Sequence, residues 1–81
     1  METLFEGEAS GLCGGYDGKE QRTIKVVLTY DGTNFTTTES TFSDGTLLYK
    51  EVFVDRERAK AMRWAAHCLL FATKYMEKYA A

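Results

Sequence analysis

Paired as hairpins, the residues before Asp55 sort into one mainly apolar and one polar sheet face, and from Asp55 onward apolar residues recur at spacings of three and four. The first pattern predicts strands and the second predicts one long helix, Asp55 to Tyr79. Three Asp-Gly pairs, Asp17-Gly18, Asp31-Gly32 and Asp44-Gly45, lie 14 and 13 residues apart and punctuate the strand region. Asp-Gly favours a two-residue hairpin turn, because both central positions of a type I′ turn need positive φ. Four strands are therefore expected: Leu4 to Tyr16, Lys19 to Tyr30, Thr33 to Ser43 and Thr46 to Val54.

Two-residue turns fix the pairing. Tyr16 opposite Lys19 sets Ala9 against Val26 and Gly7 against Leu28. Tyr30 opposite Thr33 sets Leu28 against Phe35 and Val26 against Thr37. Ser43 opposite Thr46 sets Phe35 against Val54, Thr37 against Val52 and Glu39 against Lys50. One face then carries Phe5, Gly7, Ala9, Gly11, Cys13, Ile24, Val26, Leu28, Tyr30, Phe35, Leu48, Val52 and Val54 and is the expected core. The other carries Glu6, Glu8, Ser10, Thr23, Lys25, Thr29, Asn34, Thr36, Thr38, Ser40 and Glu51 and faces water. Small residues in the first strand leave room for a helix to approach, and Gly14-Gly15 are expected to distort that strand's end. A Glu39–Lys50 ion pair is expected on the inner face, fixing register.

The helix carries two apolar stripes. Ala59, Met62, Ala66, Leu69, Met76 and Ala80 form the expected core stripe. Trp64, Phe71 and Tyr75, with His67 and Cys68 beside them, form a second on roughly the opposite side, where a surface helix is normally polar. Lys60, Arg63, Lys74 and Lys78 border it. Asp55 is the expected N-cap. The fold class that follows is α+β, a four-stranded antiparallel meander (ββββα) with one C-terminal helix on one sheet face. It forms a single domain, residues 1–54 the sheet and 55–79 the helix.

Composition sharpens this picture. The chain has 81 residues, 44% of them hydrophobic and 14% aromatic, which describes a small folded globule. At that size oligomerisation is a common source of added burial. The net charge of −2 conceals a gradient: residues 1–20 carry five acids against one lysine, and residues 55–81 carry six bases against three acids. Cys13 and Cys68 form no Cys-x-x-Cys pair, so reduced thiols and a cytoplasmic location are expected. The acidic start has no basic and apolar leader pattern, and no apolar run approaches the roughly 20 residues of a membrane span.

No motif carries catalytic chemistry. His67 and Cys68 are adjacent, and adjacent helical residues point about 100° apart, which places them poorly as a nucleophile and its base or as ligands of one metal. The segment Gly11-Leu12-Cys13-Gly14-Gly15 lacks the spacing of a phosphate-binding loop. The chain is therefore read as no enzyme, with no cofactor and no metal. The excess interaction surface, Trp64, His67, Phe71, Tyr75, Lys60, Arg63, Lys74 and Lys78, points to protein binding. Aromatics and arginine anchor interfaces, and two-fold homodimers are the commonest oligomers. The expected function is a helix-mediated homodimer acting as regulator or inhibitor of a partner macromolecule, with small bacteriophage-type anti-host or anti-defence inhibitors as the class that fits. The alternative is a single-stranded nucleic-acid binder of ββββα type, with bases stacking on the aromatics. The negative net charge and the acidic water face oppose it.

Overall fold

The computed structural model describes residues 1–13 and 20–79, with side chains described for 1–11 and 21–74. Strands β1 (Glu2–Cys13), β2 (Glu20–Tyr30), β3 (Phe35–Ser43) and β4 (Thr46–Asp55) pair in sequence order as one antiparallel sheet, and helix α1 (Arg58–Tyr79) crosses one of its faces. The α+β meander with a C-terminal helix is the architecture that the alternation and the Asp-Gly punctuation predict.

The turns decide the register. At Asp44-Gly45 both φ angles are positive, 49° and 83°, and Ser43 stands opposite Thr46 in a two-residue turn. At Asp31-Gly32 the connection is longer. Asp31 Oδ1 accepts hydrogen bonds from the backbone N–H of Thr33 at 2.9 Å and of Asn34 at 2.7 Å. These bonds hold Asp31 to Asn34 as a four-residue loop, and Tyr30 pairs with Phe35. Leu28 consequently faces Thr37 and Val26 faces Glu39, two residues from the expected register. The β1–β2 register is offset likewise, with Ala9 opposite Ile24 and Gly7 opposite Val26. Asp17-Gly18 and Gly14-Gly15 lie outside the described residues. A shift of two keeps every side chain on its face, so the inner faces of β1 to β3 are those expected.

Strand β4 differs by one residue, and there the faces invert. Thr41 pairs with Tyr49 but Phe42 with Leu47, which leaves Leu48 as a bulge. Beyond it Glu39 lies opposite Glu51 and Lys50 opposite Ser40, so the expected Glu39–Lys50 pair does not form. Val52 and Val54 stand on the solvent side, 55% and 62% exposed, and Phe53 takes the inner face. Leu48 is exposed as well.

The core is Val26, Leu28 and Phe35 of the sheet against Ala61, Ala65 and Cys68 of the helix, with Leu4, Phe5, Ile24, Tyr30 and Leu69 at its margins. The buried helix positions are Ala61, Ala65, Cys68 and Ala72. They are rotated about 100°, one residue, from the expected stripe. Ala59, Met62 and Ala66 are exposed, Leu69 is half-buried, and the side chains of Met76 and Ala80 lie outside those described. The physical reason is size: small side chains seat the helix close to the sheet, and the larger ones spread along its flanks. At Gly7 there is no room for a side chain, since a Cβ there would lie 2.6 Å from Leu69 Cδ2.

The helix begins later than expected. Asp55 Oδ1 accepts from the Glu57 N–H at 3.0 Å, and the Glu57 carbonyl receives the first helical bond from Ala61. Glu57 therefore occupies the cap position, and Asp55 stabilises the turn before it.

Candidate interaction site

Because α1 lies mainly over β1 and β2, it leaves the inner face of β4 partly uncovered. The result is an open groove of about 930 Å³ with Phe53, Val54 and Asp55 along one wall and Lys60, Arg63, Trp64, Ala66, His67 and Leu70 along the other. Thr37 and Ala61 form its floor. Its apolar lining follows directly from the bulge, which turns Phe53 inward.

An aromatic run stands along this groove. The Phe53 ring meets the Trp64 indole edge-on, centroids 5.0 Å apart. Trp64 lies 5.8 Å from the His67 ring, and His67 lies 6.3 Å from Phe71. Trp64 and His67 occupy the helix flank toward β4, about 100° from the buried stripe rather than opposite it. The site is therefore the angle between helix and sheet, not the outer face of the helix. Phe71, 66% exposed, closes the run at its other end. It borders a second, smaller cavity of about 180 Å³ with Arg22, Glu39, Thr41, Tyr49 and Cys68.

Of the residues singled out in the sequence, Lys60, Arg63, Trp64 and His67 line the groove and Phe71 adjoins it. Lys74 is exposed on the helix and lines neither cavity. The side chains of Tyr75 and Lys78 lie outside those described. Lys60 also approaches Glu57, 3.6 Å away, an exposed helical pair. Phe53 and Leu70 are groove residues that the sequence reading does not pick out, whereas Val54 is already among the residues expected on the inner face. The signal for Phe53 is the run Leu47-Leu48-Tyr49, at the bulge. Leu70 carries no comparable signal.

Cys68 does not belong to the aromatic stripe. Its thiol is buried against the sheet and pushed up to about 12, first by that burial and then by a hydrogen bond to the Glu39 carboxylate and the nearby charges of Glu39 and Glu51. A thiol held protonated in this way is a poor nucleophile. His67 points away from it, exposed between Trp64 and Phe71. Cys68 is a free cysteine, and the side chain of Cys13 lies outside those described.

Among the described residues no helix is long and apolar enough to cross a membrane. Comparison with known proteins finds no matching family, no matching curated protein and no matching solved structure.

Proposed function

We propose that this chain is a non-catalytic protein-binding module that works in the cytosol as a homodimer and acts on a partner macromolecule as a regulator or inhibitor. The observation that carries the reading is the aromatic run from half-buried Phe53 through the exposed Trp64 and His67 to Phe71, set beside an edge strand that, among the described residues, pairs on one side alone. Beside it Leu70 and Phe71 are more than half exposed on the helix, and Val52 and Val54 are more than half exposed on the outer face of β4. Exposed apolar surface of this extent on a small domain marks an interface. The occupant assigned to it is a second copy of the chain, since a domain of 81 residues has little burial of its own to spare. Substituting Phe71→Glu tests the reading: the variant keeps its helix and sheet signals by circular dichroism but sediments as a monomer. A variant that associates as the unmodified chain does would remove Phe71 from the interface, and an unmodified chain that is monomeric at every concentration would overturn the reading.

A second reading is single-stranded nucleic-acid binding, favoured by Lys60 and Arg63 beside the exposed Trp64. Asp55 in the same groove and the net charge of −2 weigh against it. A short oligonucleotide would then quench Trp64 fluorescence at low salt and release it at high salt. No response at micromolar concentration removes this reading.

A further inference from the structure

We infer that the second copy docks by pairing its β4 with ours, antiparallel about a two-fold axis at Val52, to give one continuous eight-stranded sheet with both helices on the same face. The inference rests on the homodimer reading and adds the seam and its register. The sheet has two edges, β1 and β4. Strand β1 carries Glu2, Glu6 and Glu8 and lies beneath the helix, the protection that edges usually receive. Strand β4 is exposed along nearly its whole length, with Leu47, Leu48, Tyr49, Val52 and Val54 all open to solvent.

Geometry leaves few registers. In an antiparallel pair, residues directly opposite share a face, so a two-fold axis normal to the sheet must pass beside a residue that faces its own copy. The regular part of β4 runs from Tyr49, just past the Leu48 bulge, to Asp55, where the strand ends. Its midpoint is Val52, and centring there uses all of it. Charge excludes the registers adjacent to it. Centring on Lys50 or Glu51 sets like charges against themselves, and centring on Phe53 sets Glu51 against Asp55. Like charges directly opposite are destabilising. With Val52 on the axis, Val52 meets Val52, Glu51 lies beside Phe53, Lys50 beside Val54, and the Tyr49 phenol beside the Asp55 carboxylate. The two grooves, each walled by Trp64 and His67, then face one another across the seam.

Cysteine cross-linking tests the register in the full chain. In this seam Val52 alone faces its copy, at the 4.5–5.5 Å Cα separation of opposed strands, which a disulfide spans, whereas neighbours such as Glu51 and Phe53 meet their copies only diagonally, at about 7–8 Å. Val52→Cys, oxidised with copper-phenanthroline, therefore gives a covalent dimer on a non-reducing gel far above the background of the native cysteines. Glu51→Cys and Phe53→Cys do not. Preferential cross-linking at either of those overturns the register. A dimer by light scattering that cross-links at none of the three overturns the β4 seam and leaves the homodimer reading standing, whereas a monomer overturns both. Val52 is exposed in the single chain, so Val52→Lys supplies a second variant that stays folded and loses association.

Discussion

Phe53 meets Trp64 edge-on, planes at 67°, and the contact exists because Leu48 is an extra residue in β4. Without the bulge Phe53 would face water and Val54 would face the helix. Edge-to-face aromatic pairs contribute about 0.5–1.5 kcal/mol beyond the area they bury. A double-mutant cycle of Phe53→Leu and Trp64→Leu, read by urea unfolding at one fixed protein concentration, is expected to give a coupling in that range. A coupling indistinguishable from zero would mean the rings do not hold the groove's wall.

Cys68 is expected to make stability fall in alkali. Its folded thiol titrates near 12 against an ordinary 9.0, so the stability it contributes is complete below pH 9.0 and is lost as pH rises toward 12. The loss proceeds at no more than about 1.4 kcal/mol per pH unit. In Cys68→Ala the term is absent, so the stability gap between the two proteins narrows across that window. Below it, a thiol reagent leaves Cys68 unmodified until the protein unfolds.

The Leu69 side chain of the helix fills the space that a side chain at Gly7 of β1 would need. Gly7→Ala places a methyl group into Leu69 Cδ2, and because that atom ends a flexible side chain the cost is expected to be about 1 kcal/mol, at the low end for overpacking. In a Leu69→Ala background the same substitution is expected to cost nothing further, as thermal unfolding of the four proteins would show.

Asp31 ties its loop through two backbone N–H groups, and those bonds hold its carboxyl below the ordinary 3.8. Its contribution is present above that pH and lost as pH falls through the lowered folded value. Asp31→Ala is therefore less stable than the unmodified chain near neutrality, and the gap between their melting temperatures closes in acid.

How far the fold can be read from the chain depends on which error a local misreading makes. Taking Asp31-Gly32 as a two-residue turn misplaces the register by two, which costs nothing in face assignment, and Val26, Leu28 and Phe35 still fall inside. Missing the bulge at Leu48 misplaces β4 by one, which exchanges Phe53 for Val52 and Val54 and hides Phe53 from the candidate site. On the helix, the large apolar residues suggest a core stripe, yet Ala61, Ala65 and Ala72 are the ones buried, because close packing on a sheet favours small side chains. Trp64 and His67 stand out in the sequence as an excess over what one core face needs, and both line the groove. That they look sideways onto β4 rather than outward follows from the helix's phase, which periodicity alone left one residue adrift.

The central claim, that the β4 side of this molecule is an interface between two copies, is tested most directly by absolute molar mass from light scattering across a dilution series of the unmodified chain. The account predicts twice the 9.2 kDa chain mass, persisting on dilution into the micromolar range. A mass of one chain at every concentration would contradict it.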